Sequence, residues 1–291
     1  MLPKEVELKR FFGWINERHR IYLKKEAGEP PPWTGDPILQ RHRFCCVFRE
    51  LDRTTKWIRE NWREPYADHQ NLWFAMALAR QINRTETLAE IGFPKRWNPE
   101  RIVKIIESRR AQGLKAYTGA YMLTGTLGGK KSEQTAYKIL DVLYRNPPSL
   151  AKKPCSSLED AWAQFKGRPG FGGFLAYEVV SDLRHTRYLC NAADTMTWAN
   201  PGPGAIRGLH RLHGRRIKGR NLGARLTRER AISEMRALLE VSPQYLEPHV
   251  PPLEMREIEH CLCEMDKMLR VQLGQGVLAI YRPYSPNAVL L

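Results

Sequence analysis

The stretch "FKGRPGFGGFLAYEVVSDL", residues 165–183, decides how this chain is expected to fold. One helix should end at Lys166, Pro169-Gly170-Phe171-Gly172 should make a tight turn, and a second helix should begin at about Gly173. Proline presets φ and glycine takes the positive φ that other residues avoid, so the chain can reverse within a few residues. This is a helix-hairpin-helix pattern. Glycine amides and the positive end of the second helix dipole both suit a phosphate oxygen, which makes Gly170, Gly172 and Gly173 candidates for holding a DNA backbone. The alternative is an ordinary helical hairpin, because Pro-Gly turns are common.

Helical periodicity continues on both sides. "PILQRHRFCCVFRELDRTTKWIREN" reads as one helix over 37–60, with Pro37 in its first turn and Phe44, Val47, Phe48, Leu51 and Ile58 on a stripe. "DHQNLWFAMALARQINR" reads as a helix with Asp68 as its cap, and "NPERIVKIIESRRAQG" as one running from Asn98-Pro99 to Gly113. "KKSEQTAYKILDVLYRNPP" and "SSLEDAWAQFKG" follow, the latter opening on a Ser157 cap signal. Near the end, Met255, Ile258, Leu262, Met265 and Leu269 form one apolar stripe. Alternating strand patterns are nearly absent and no repeat is found. The expectation is a mostly α fold over 1–291, either one domain or two interleaved helical lobes.

Composition narrows the function. With 42% hydrophobic residues the chain has enough to build a core. No apolar run is long enough to span a bilayer, and the N-terminus lacks a signal-peptide core, so residence in the cytoplasm is expected. The six cysteines include no CxxC pair or zinc-like spacing, so no metal is expected. A net charge of +16 favours a polyanionic partner. The charge is clustered: Arg207 to Arg230 contains nine Lys or Arg against one acid, Glu229. Arg207, Arg211, Arg215, Arg216, Lys218 and Arg220 are the candidates for gripping a DNA backbone.

Asp194 follows the hairpin in "NAADTMTWANPGPGAIRGL". It is either a cap for a helix starting near Thr195 or a catalytic carboxylate. Its distance from the hairpin resembles that in the helix-hairpin-helix DNA glycosylases of the endonuclease III and adenine glycosylase type. There an L-P-G-[VI]-G-x-x-T-A hairpin precedes V-D-T-H, whose Asp is catalytic. The resemblance covers roughly 165–200 and implies a glycosylase-like helical fold, with Asp194 as the catalytic residue. Phe174 stands where bifunctional members carry a Schiff-base lysine, and the iron–sulfur cysteines are missing.

A second resemblance covers much more of the chain. "NLWFAMALARQINRTETL", "GFLAYEVVSDLR", "DTMTWANPGPGAIRGLHRL" and "IEHCLCEMDKMLR" are similar to a bacteriophage family, the α-glutamyl/putrescinyl thymine pyrophosphorylases, or amino acid:DNA transferases. Their helical domain is also found attached to 5-hydroxymethyluracil DNA kinases. The resemblance implies a base-hypermodifying enzyme acting on double-stranded phage DNA that carries 5-(pyrophosphoryl)oxymethyl-uracil. An amino acid or polyamine would displace pyrophosphate from the exocyclic methylene. Glycine is the favoured amine, with glutamate, serine and putrescine as alternatives, and no further cofactor is expected. A 5-hydroxymethyluracil DNA kinase would be the functional partner. "GTLGGKKS" near 125–132 only weakly resembles a P-loop.

Roles in such a reaction fall on several groups. Asp194 would steady the cation developing at the methylene or take a proton from the attacking ammonium. Arg49, Asp52 and Arg53, and His260, Glu264 and Lys267 on the C-terminal helix, are candidates for binding substrate or pyrophosphate. Glu259 and Asp266 are equally possible partners for an ammonium. Both polar faces could instead be solvated sides of amphipathic helices. The target base must be flipped from the stack, and Trp33, Tyr117, Tyr121 and Trp198 could stack on it, although each residue type is more often core. A monofunctional DNA glycosylase and a non-catalytic DNA-binding protein remain the alternatives.

Overall fold

Helices account for nearly all regular structure in the computed structural model, which describes residues 2–119, 128–218, 221–222 and 226–275. In chain order they are α1 (Glu5–Glu26), α2 (Pro37–Arg41), α3 (Arg53–Ile58), α4 (Leu72–Ile82), α5 (Thr85–Ile91), α6 (Pro99–Ala111), α7 (Lys131–Glu133), α8 (Val142–Arg145), α9 (Leu158–Phe165), α10 (Gly173–Leu183), α11 (Pro203–Leu212), α12 (Arg228–Val241) and α13 (Met255–Gln272). A π-helical stretch, Gln134–Asp141, joins α7 to α8. Among the described residues the strands are β1 (Ile217–Lys218) and β2 (Asn221–Leu222), paired antiparallel with Ile217 opposite Leu222. No helix of the described residues is long and apolar enough to cross a membrane.

The chain divides into two compact units, residues 50–200 and residues 1–49 with 201–291. In the 50–200 unit α4 is the central helix, and every residue from Leu72 to Ile82 is buried. A helix apolar almost all round must sit inside a core. Its one charged residue, Arg80, donates from Nε to Asp182 of α10 at 2.6 Å and from Nη2 to Thr55 of α3 at 3.1 Å. Asn71, rather than Asp68, stands at the N-cap of α4, and Asp68 is exposed. In α6 Asn98 accepts from the Arg101 N–H, Pro99 opens the first turn, and Gly113 beyond the end has φ 73°. The helix ends where the sequence signals put it.

In the other unit α13 is the organising helix. Met255, Ile258, Leu262, Met265 and Leu269 are all buried, as their spacing predicts. Phe11, Phe12 and Ile15 of α1 join this core, and Tyr245 stacks on Phe12 with ring centroids 5.2 Å apart. α11 approaches α13 very closely. A Cβ on Gly208 would lie 2.5 Å from the Leu262 carbonyl oxygen, and one on Gly204 would lie 2.3 Å from Cys263 Sγ. Two glycines four apart on one helix face let the backbones meet.

The continuous helix expected over 37–60 is broken. After α2 the chain runs extended from His42, and a single 3₁₀ turn over Arg49–Leu51 precedes α3. The reason lies in partners distant in sequence. Arg18 of α1 donates to the Cys45 carbonyl at 2.8 Å, and the Cys45 N–H donates to Glu264 of α13 at 2.9 Å. These bonds satisfy backbone groups that a helix would otherwise pair internally.

Candidate functional site

Helix α9 ends at Phe165 and α10 begins at Gly173, with a tight turn between them. Gly167 and Gly170 take φ of 88° and 73°. The turn closes through Gly167 N–H to the Phe171 carbonyl at 3.0 Å and Phe171 N–H to Arg168 at 2.9 Å. Gly170 has a second reason to be glycine, because a Cβ there would lie 2.6 Å from Ile139 Cδ1. Gln81 of α4 donates to the Gly170 carbonyl at 2.8 Å, which holds the turn on the core. Gly172 is the N-cap of α10, and no side chain caps that terminus. Phe174, one residue into the helix, is 54% exposed.

Asp194 sits close behind the start of α9. Its Oδ1 accepts from the Leu158 N–H at 2.7 Å, and its Oδ2 accepts from Ser157 Oγ at 2.9 Å and the Glu159 N–H at 3.1 Å. Ser157 Oγ in turn accepts from the Asp160 N–H. The carboxylate therefore lies at the positive end of α9, where it accepts from first-turn amides that have no partner within the helix. No helix begins at Thr195. Residues 194–198 form a turn in which the Thr197 and Trp198 N–H groups donate to the Asp194 carbonyl. Asp194 is thus a cap, but for the hairpin's first helix.

The turn after Asp194 is tied to the hairpin. Both Trp162 Nε1 and Asn200 Nδ2 donate to the Gly173 carbonyl, at 2.8 and 3.2 Å. Trp198 is buried, with its ring 5.9 Å from Trp162 and 5.5 Å from Tyr177, so it belongs to the core beneath this surface. Asn200 is a brace that the sequence reading passed over. The only signal for it was its place between Trp198 and the Pro-Gly turn.

The second constellation joins α11 to α13. The polar face of α13 is not solvated: Asp266 is 0% exposed, Glu264 3% and Glu259 8%. Asp266 accepts from Arg207 Nε and Arg211 Nε, each at 2.8 Å, with Arg270 3.7 Å away. Glu259 accepts from the Gly202 N–H, just before α11, at 3.2 Å and from Arg256. Glu264 pairs with Lys267 through one oxygen and takes the Cys45 N–H on the other. Burial opposes the charge on Glu264, but Lys267, His260 and these hydrogen bonds outweigh it and hold its pKa below the usual carboxylate range. Lys267 loses to burial and gains more from Glu264, so its pKa is raised and the pair is ionised at neutral pH. Burial pushes the Cys263 thiol up to about 12 with help from Glu259, and it is no thiolate nucleophile.

Three arginines of the basic run turn toward buried carboxylates. Arg207 and Arg211 are held by Asp266. Arg215 makes a two-pronged pair with Glu234 of α12, which Arg230 also joins. Arg216 is exposed. The side chain of Lys218 and all of Arg220 and Tyr121 lie outside the described residues. Arg49, Asp52 and Arg53 do not share a helix face, because Arg49 is in the 3₁₀ turn while Asp52 and Arg53 open α3. Trp33 lies in the loop after α1 with the Lys25 ammonium 4.3 Å over its ring. Tyr117 is largely enclosed, its hydroxyl 2.9 Å from Thr135 Oγ1 and its pKa pushed by burial up to about 12.

These sites invite comparison with known proteins. No solved structure matches the chain. The 5-hmdU DNA kinase of Bacillus phage SP10 is 27% identical over 223 residues, which is 68% of this chain and 35% of that protein. The chain therefore spans about a third of the relative's length. The broken 37–60 segment, the hairpin, the Asp194 turn and the α11–α13 contact all fall inside one family match, to the helical domain of 5-hmdU DNA kinases over residues 5–277, and the chain belongs to that family.

Proposed function

We propose that the chain is a base-modifying transferase acting on phage DNA, joining an amino acid to the methylene of 5-(pyrophosphoryl)oxymethyl-deoxyuridine. In this step the C–O bond to pyrophosphate breaks, a C–N bond to the amine forms, and the ammonium proton passes to a carboxylate. A 5-hydroxymethyluracil DNA kinase would act earlier and supply the phosphorylated base. Membership of a family named for 5-hmdU kinases supports modified thymidine as the substrate class. The observation that carries the transfer reading is the row of buried carboxylates on the polar face of α13. Burying Glu264, Asp266 and Glu259 together costs desolvation that packing alone does not require, and such clusters gather where a site handles charge. Both substrates carry it: an ammonium on one, a pyrophosphate on the other.

Asp194 is the proposed acid–base or cation-steadying group. Its three donors hold it in one orientation, and the Gly/Pro turn that follows stiffens the backbone beside it. The uncapped start of α10 would take a backbone phosphate. A flipped base, costing a few kcal/mol to unstack, would be read beside this turn.

One observation favours a second reading, in which the chain only holds DNA: Asp194 already caps α9 with both oxygens. Incubating the chain with duplex carrying the pyrophosphorylated base and an amino-acid mixture separates the possibilities. Transfer yields a heavier nucleoside by mass spectrometry. A glycosylase yields free base and an abasic site, and a holding domain leaves the DNA unchanged; either result would sink the transfer reading.

A further inference from the structure

We infer that a cleft of about 360 Å³ beside α1, α11 and the end of α13 is a binding site for a phosphate-type oxyanion. Glu7 and Arg10 of α1, Arg211 and Arg215, and Leu273 and Gln275 are among its walls. Three guanidiniums thus reach one cavity, and buried carboxylates hold two of them in place. Arg211 is anchored by Asp266 and Gln275, and Arg215 by Glu234. Arg10 donates to Gln272 at 2.9 Å and stands 3.9 Å from Glu7.

Hydrogen-bond donors are in surplus here. Asp266 is shared by Arg207, Arg211 and Arg270, Glu234 by Arg215 and Arg230, and Glu7 faces Arg10. Of these guanidiniums Arg10, Arg211 and Arg215 line the cleft, one for each carboxylate. Each guanidinium carries five N–H donors in a planar fork, and the bonds named use one from Arg10 and two each from Arg211 and Arg215. The remaining donors match the tetrahedral oxygens of a phosphate, the ligand that arginine forks bind best.

Two sources share this chemistry: a DNA backbone phosphate and the free pyrophosphate released by transfer. The choice of these sources rests on the proposed function; the oxyanion site itself rests on geometry. The full-length chain, Arg10→Gln, Glu7→Gln and the control Lys9→Gln are titrated with inorganic pyrophosphate by calorimetry and with unmodified duplex by anisotropy. Lys9→Gln makes the same charge change next to Arg10, on an exposed residue outside the cleft's walls. Thermal melts without ligand confirm that each variant is folded. Arg10→Gln should weaken binding about tenfold, as the loss of a charged hydrogen bond does, and Glu7→Gln should tighten it. Lys9→Gln should move it by about twofold or less. A response in the pyrophosphate arm identifies the free anion, and one confined to duplex identifies the backbone. If Arg10→Gln matches Lys9→Gln in both arms, the site does not exist. Transfer activity with no such response would overturn the site alone, and a response without transfer would overturn the proposed function alone.

Discussion

Asp266→Asn should unfold the α11–α13 contact more than any other single-atom change on that face. The substitution keeps the shape and removes the charge that Arg207 and Arg211 meet at 2.8 Å from two sides. Asp266 is 0% exposed, so solvent cannot replace what is lost, and an amide nitrogen would be turned toward at least one guanidinium. Breaking a buried ion pair by removing one partner costs about 3–5 kcal/mol. Arg207 retains some solvent access, with 27% of its side chain exposed, which places the expected loss near the lower end, about 3 kcal/mol. At roughly 2–4 °C per kcal/mol for a chain of this size, the melting temperature should fall by about 6–12 °C. Differential scanning calorimetry reads this directly, and two units melting separately would show the loss in one transition only. A shift of less than about 2 °C would mean that Arg207 and Arg211 do not depend on Asp266, and the inward reading of the basic run would fail.

Further outcomes follow from the same geometry. Gly208→Ala places a Cβ 2.5 Å from the Leu262 carbonyl oxygen and should cost about 1–3 kcal/mol, seen as a lower urea midpoint; an unchanged midpoint would show that α11 is free to shift. Arg216→Gln should lower the slope of log affinity against log salt for duplex by about 1, whereas Arg207→Gln should leave that slope nearly unchanged. His210 is buried with neither ring nitrogen bonded, and burial, then Arg215, lower its pKa while Glu234 partly offsets them. Its folded pKa lies below the unfolded value, so the stability it contributes is present above pH 6.5 and is lost as pH falls toward the folded pKa. Melting temperatures from pH 7.5 down to 5 should fall less steeply in His210→Leu than in the parent chain, and parallel curves would exclude His210 as a source of acid sensitivity.

How far the sequence was legible depended on whether the deciding partners lay nearby. The stripe on α13 and the caps of α6 and α9 rest on local spacing, and they appear where spacing puts them. The hairpin was equally readable, since Gly170 needs both a positive φ and an absent Cβ. The segment at 37–60 was misread because Arg18 and Glu264, which take the backbone groups of Cys45, are far away in the chain. For the same reason the acids of α13 stayed open between a binding face and a solvated one. Asp266 and Glu234 give no local sign that Arg207, Arg211 and Arg215 will turn inward to meet them. Gly204 and Gly208, four residues apart, were the available sign of a close helix contact. Asp194 was found by its distance from the hairpin, yet its actual donors, Ser157 to Glu159, precede the hairpin and were visible only in three dimensions.

Transfer fixes a stoichiometry that can be counted. Duplex carrying 5-(pyrophosphoryl)oxymethyl-deoxyuridine is incubated with the chain and a radiolabelled amino acid, and pyrophosphate release and label fixed in DNA are counted together. Transfer releases one pyrophosphate for each label fixed and leaves the glycosidic bonds intact. Pyrophosphate release without label, or abasic sites in its place, would contradict it.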